Sequence, residues 1–265
     1  LKLKLFLLSC ALISAFSSFA QQTTNHSTHF NKFYQYGVAD AFIGGLYKGT
    51  LLLKDLKQHG NFGLGAPDLL DGELIILDGK VYQTKANGET VKAYNSSTTS
   101  LSFVTFFKAD TSFVVNDLIS QKNASTTIMN FLRNKNGMYA IKITGRFNKI
   151  KTRAFPPFKQ EPFPPLSSIL DKQQFFNFEN IEGTLVGFYL PSYLNGVSIS
   201  GLHFHFLSND KKHGGHVLDY EGNGFKVEIA RLYGFQLDEQ NDPALQHFEF
   251  KKTANESLEK VEKGH

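Results

Sequence analysis

The order of apolar and polar positions predicts strands more often than helices. Phe33 to Leu56 has helix-like spacing, broken by Gly44 and Gly45, and ends near His59-Gly60. Residues 61–72 read as a Gly-rich loop, Asn61-Phe62-Gly63-Leu64-Gly65-Ala66-Pro67, without the spacing of a phosphate loop or a Lys-Ser/Thr pair after the glycines. A hairpin follows. Glu73-Leu74-Ile75-Ile76-Leu77 lies between Asp71-Gly72 and Asp78-Gly79, and Lys80-Val81-Tyr82-Gln83 returns from the second turn. Further strands are predicted at 101–107, 138–147 and 148–155.

Ala154 to Pro165 holds five prolines, so it reads as an extended connection between two halves. A short helix is predicted over 166–176, then strands near 182–189, 197–207, 215–220 and 225–235, and a charged helix over 243–265. Short strands joined by Gly-rich turns fit antiparallel pairing. The expected class is α+β: sheet-rich, with mixed or antiparallel sheets in two linked parts and few helices. The expected divisions are a sheet-rich part over 33–155 and a metal-binding part over 156–265.

The first twenty residues read as a signal peptide: Lys2 and Lys4, an apolar run from Leu5 to Phe16, and a Ser18-Phe19-Ala20 cleavage site before Gln21. Residues 21–32 are polar and form a flexible lead-in, with His26 and His29 as weak metal contacts at most. The expected destination is outside the cytoplasm, periplasm or medium. Cys10 is the single cysteine and falls in the leader, so the mature chain carries no disulfide. No later segment is long and apolar enough to cross a bilayer as a helix. A formal charge of +4 without a basic stripe argues against nucleic acid as a partner.

The most informative stretch is Gly201-Leu202-His203-Phe204-His205-Phe206, followed by His213-Gly214-Gly215-His216. Alternate residues of a strand share a face, so His203 and His205 point together while Leu202, Phe204 and Phe206 enter apolar packing. A turn at Asn209-Asp210 lets the chain double back and bring a third imidazole, from His216 or from the competing His213. Three neutral imidazoles leave a coordination position open, as catalytic rather than structural sites do. Such a set suits Zn2+ and other late first-row divalent metals.

These residues resemble the metal motif of the α-acetolactate decarboxylase family. Phe33-Tyr34-Gln35-Tyr36-Gly37, His59 to Gly65, Leu70-Asp71-Gly72-Glu73, Thr144-Gly145-Arg146-Phe147 with Thr152-Arg153, and Glu182 to Phe188 are similar to that family as well, in unbroken order from about Phe33 to Leu237. The resemblance implies conversion of acetolactate (2-hydroxy-2-methyl-3-oxobutanoate) to acetoin and carbon dioxide. It implies zinc held by His203, His205 and His216, a catalytic carboxylate at Glu73 and a catalytic arginine at Arg153. It also implies a second glutamate near the C-terminus, matched by Glu262 with Glu259 as the alternative, and a possible homodimer.

The residues alone leave rivals. Arg146 competes with Arg153, and the proton donor stays open among Glu73, Arg153 and Glu262. A zinc hydrolase or hydratase acting through an acidified water is the second reading. An exported metal-binding protein without turnover is the third.

Overall fold

The computed structural model describes residues 31–250. The leader, most of the lead-in with His26 and His29, and the C-terminal stretch with Glu259 and Glu262 lie outside the described residues. In chain order the elements are β1 (Lys32–Tyr36), α1 (Ala39–Ile43), β2 (Leu51–Leu52), α2 (Leu53–Leu56), β3 (Phe62–Pro67), β4 (Glu73–Leu77), β5 (Lys80–Thr84), β6 (Thr90–Lys92) and β7 (Thr98–Thr105). There follow β8 (Thr111–Val115), β9 (Ile119–Ser120), α3 (Gln121–Phe131), β10 (Met138–Ala154), β11 (Gln174–Leu190), β12 (Gly201–Ser208), β13 (Gly214–Leu232) and β14 (Gly234–Asp238).

The strands form two sheets. The first runs β14-β1-β7-β3-β4-β5-β6, with β2 on β7, and the second runs β10-β11-β12-β13-β8, with β9 on β13. All pairings are antiparallel except β1 with β14. Strand β10 pairs along its length with both β11 and β13. Because β12 also pairs with both β11 and β13, these four strands close a circuit, and only three residue pairs join β12 to β13. Strands β8 to β10 precede the proline-rich segment yet belong to the second sheet, while β14 follows it and edges the first. Sheet membership therefore does not divide at residue 155.

Alternation sets which side chains face the gap between the sheets. On β4, Ile75 and Leu77 join the largest apolar cluster, while Leu74 and Ile76 pack on the opposite face against Leu53 and Leu56 of α2. From the second sheet, Val186, Phe188, Leu190 and Leu207 fill the same gap. Phe33, Phe103 and Phe188 meet there at ring separations of 5.3–6.5 Å. Each such buried ring contributes roughly 1.5–3 kcal/mol relative to exposure. The remaining face of the second sheet carries Phe147, Phe206, Tyr220 and Phe225 and is covered by Ala124 and Ile128 of α3.

The hairpin of β4 and β5 lies where expected. Other elements differ. The helix-like stretch from Phe33 begins as strand β1, and only two short helices occur before His59. The Gly-rich "loop" is strand β3: Phe62, Leu64 and Ala66 face the gap, while a Cβ at Gly63 would meet the Phe103 carbonyl and the Val104 side chain, and one at Gly65 the Ser102 hydroxyl. Glycine there lets β3 lie close against β7. The stretch expected as a helix over 166–176 is two 3-10 turns, Leu166–Ser168 and Leu170–Lys172, before β11 begins at Gln174. Of the helix expected over 243–265, the described residues 243–250 hold a 3-10 turn, Pro243–His247, and the remainder lies outside the described residues.

Strand β10 joins two expected strands into one, and the expected break coincides with a change of face. Ile141, Ile143 and Phe147 pack toward α3, yet so does Ile150, whereas Ala140 and Phe155 face the first sheet. The ladder to β13 is irregular between Phe147 and Lys149. This one-residue irregularity reverses the alternation, as β-bulges do. Without it, Arg153 would face away from the gap.

Candidate active site

The site lies in the gap between the sheets. Residue pairs that stand opposite in an antiparallel ladder share a face. His205 is opposite His216, and His216 is in turn opposite Arg153. His203 is two residues from His205 on β12. The four side chains therefore converge by register alone, and Glu73 approaches from β4 in the other sheet. All are buried: His203 is 7%, His205 2%, His216 3%, Arg153 4% and Glu73 6% exposed.

The ligand atoms of the three histidines lie within 4.8 Å of one another. His203 Nε2 is 3.1 Å from His216 Nδ1. Two nitrogens bound at about 2.0–2.1 Å on a tetrahedral zinc would be roughly 3.3 Å apart, so this spacing fits a shared cation. His205 Nδ1 lies 2.8 Å from the Leu74 main-chain oxygen. A carbonyl can only accept, so Nδ1 carries the proton and Nε2 presents a lone pair. That lone pair faces Glu73 Oε2 at 3.4 Å. Two acceptors in contact repel one another, and a cation between the imidazoles relieves that repulsion. The donor set therefore fits a divalent metal.

Protonation agrees with this. Burial, and then the nearby Arg153 charge, push His203 down to about 3. Burial, then the neighbouring His203 and Arg153, hold His205 well below the ordinary imidazole value, against the opposing pull of the Leu74 carbonyl. Both rings are neutral at neutral pH, as ligands must be.

Arg153 Nη1 donates to Glu73 Oε1 at 2.7 Å. The guanidinium also stands over the Phe155 ring, 5.0 Å from its centre. Local structure around His216 is tight. Gly215 has φ +120°, and a Cβ there would lie 2.8 Å from the Arg153 carbonyl oxygen. The Thr152 hydroxyl donates to the Gly214 carbonyl at 2.8 Å, tying β10 to the start of β13. Apolar side chains complete the cavity, among them Leu64, Ala66, Leu101, Phe103 and Ile199.

Of the residues singled out from the sequence, His203, His205, His216, Glu73 and Arg153 come together. His213 does not: it sits in the β12–β13 turn, with its ring 4.8 Å from that of Phe178. Arg146 is exposed and bonds Asn180 at 3.4 Å. The apolar wall from β3 and β7 has no local signal in the sequence, because the glycines of β3 give the pattern of a loop.

Two sheets with three imidazoles and a carboxylate–guanidinium pair enclosed between them define a protein with a buried, polar reaction centre. A family model for alpha-acetolactate decarboxylase matches residues 33–252, and the chain belongs to that family. The alpha-acetolactate decarboxylase of Methanosarcina mazei is 36% identical over 232 residues, covering 87% of this chain and 80% of the relative. That of Bacillus subtilis is 34% identical over 207 residues, covering 78% and 81%. The crystal structure of acetolactate decarboxylase from Bacillus subtilis subspecies spizizenii matches with a TM-score of 0.83 at 30% identity, over 88% of this chain and 100% of that one. A Staphylococcus aureus structure described as similar to alpha-acetolactate decarboxylase matches with a TM-score of 0.81 at 30% identity, over 89% and 100%.

Proposed function

We propose that this chain decarboxylates 2-acetolactate to acetoin at the inter-sheet site, with His203, His205 and His216 holding a divalent cation, zinc by preference. The observation that carries the reading is the convergence of three imidazole ligand atoms within 4.8 Å beside the buried Glu73–Arg153 pair. Family membership supplies the substrate. When bound, the cation would supply Lewis-acid stabilisation of the negative charge that builds on the substrate's oxygens.

The chain's own groups account for the rest. The bond between the carboxylate carbon and the central carbon breaks, and its electron pair flows into the neighbouring ketone to give an enediolate. Arg153 has several N–H donors in a planar fork, so beyond its bond to Glu73 it can orient the substrate carboxylate. Holding that group fixes the breaking bond's direction. Apolar walls beside it favour release of neutral carbon dioxide. The enediolate carbon then takes a proton. Glu73 is assigned the delivery of that proton, a role supported by its contacts with Arg153 at 2.7 Å and His205 at 3.4 Å. Glu262 is proposed from family resemblance as a further acid.

The test pairs metal analysis with gas release. Purified protein should contain about one equivalent of divalent metal and yield equal amounts of acetoin and carbon dioxide. Chelation should abolish both metal and turnover, and zinc should restore them. Undiminished turnover by metal-free protein would exclude the cation's part, and absence of turnover from the loaded protein would exclude the activity.

A further inference from the structure

We infer that Ala66 sets the size limit for the alkyl group on the substrate's central carbon, an inference that rests on the decarboxylase reading above. The argument starts from register. Strands β3 and β4 pair Gly63 with Ile76, Leu64 with Ile75 and Gly65 with Leu74. One further step sets Ala66 across from Glu73. On its other side Ala66 pairs with Leu101 of β7. Leu101, Ala66 and Glu73 thus form one row across the sheet on the face that lines the cavity. Neighbours in such a row stand about 4.8 Å apart.

The neighbouring row is Phe103, Leu64 and Ile75, all large. A single methyl between Glu73 and Leu101 therefore leaves a notch in an otherwise bulky wall. The notch is firmly backed: Ala66 is 5% exposed, and its carbonyl accepts a 2.6 Å hydrogen bond from the Thr99 hydroxyl. The ladder becomes irregular immediately after it, at Pro67.

Substrate chemistry fills this notch. The central carbon carries a hydroxyl, an acetyl group, the leaving carboxylate and an alkyl group. The three oxygen-bearing groups belong on the polar side, where the imidazoles, Arg153 and Glu73 lie. The alkyl group is left for the apolar wall, and the place beside Glu73 with room for it is above Ala66. A methyl fits there, and each added carbon presses on the Ala66 methyl. One methylene in an apolar pocket is worth roughly 10–200-fold in discrimination.

The experiment compares kcat/KM for the 2-methyl acid and its 2-ethyl homologue on the same preparation, so that the ratio does not depend on the folded fraction. Ala66→Val should lower the ethyl-to-methyl ratio by about tenfold, and Ala66→Gly should raise it. The Gly arm alone decides the matter should the Val variant fail to fold. Unchanged ratios in protein that turns over the methyl acid normally would overturn the assignment to Ala66 and leave the decarboxylase reading intact. Native protein inert toward both acids would overturn the two together.

Discussion

His205 donates from Nδ1 to the main-chain carbonyl of Leu74 at 2.8 Å, and this bond joins the two sheets across the reaction centre. It fixes the ring's tautomer and its orientation at once. An asparagine amide can occupy the place of Nδ1 and keep the bond to Leu74, but it has nothing at the place of Nε2. His205→Asn should therefore fold with a melting temperature within a few degrees of the native protein and lose metal. His205→Ala should lose metal and melt lower as well, since it leaves a buried carbonyl without its donor, at about 1–3 kcal/mol. Thermal melting and metal analysis of the two variants check this, and equal melting temperatures would contradict it.

The Glu73–Arg153 pair is enclosed, with side chains 8% and 4% exposed. Breaking such a pair strands a charge, at about 3–5 kcal/mol. Arg153→Met should be strongly destabilised. Glu73→Gln keeps an acceptor for the guanidinium and should bind metal normally, while kcat falls by about 100-fold or more. Steady-state kinetics with metal content measured in parallel separates the two effects. A Gln variant of normal kcat would remove Glu73 from proton handling.

Gly215 occupies the left-handed region at φ +120° with the Arg153 carbonyl close behind it. Gly215→Ala should cost about 1–3 kcal/mol in backbone strain and shift His216, its immediate neighbour. Metal affinity should fall at least severalfold, read by competition with a chelating dye. Gly79→Ala is the comparison: it also has positive φ, +71°, but a Cβ there meets nothing within 4 Å. It should lose stability without losing metal.

His59 stacks on Tyr34 at 3.7 Å, on the far side of the first sheet from the reaction centre. Burial and Lys32 lower its pKa, with Asp238 opposing them. The unfolded chain takes up a proton on this residue below pH about 6.5, while the folded chain resists doing so. The stabilisation is complete above that pH and declines as pH falls through and below it. His59→Phe keeps the stack and removes the titration, so its melting temperature should fall less between pH 7 and 5 than that of the native protein. Parallel acid dependence of the two would contradict this.

The imidazole triad was legible because the i, i+2 spacing and the following turn carry their geometry in the sequence. Glu73 and Arg153 were legible only through family motifs. Nothing local tells a buried strand carboxylate from an exposed one, and β4 and β10 meet across the gap from distant parts of the chain. Strand β3 was hidden because glycines replace its outer side chains, erasing the alternation on which strand reading depends. Helix α3 was hidden for a different reason. Its sequence is rich in Asn, Ser and Thr, and only Ala124 and Ile128 are buried. The break expected between residues 147 and 148 falls where the face of β10 reverses, so a strand end was expected where the chain changes sides and continues.

Strand β1 is the first described element and β14 is the last described strand, yet they lie side by side, from Lys32 with Gly234 to Tyr36 with Asp238. That parallel ladder clasps the two ends of the described fold at one sheet edge, where β14 is the outermost strand. Peeling β14 away would bare the edge of β1 to solvent while the four-strand circuit that carries the histidines keeps all of its own pairings.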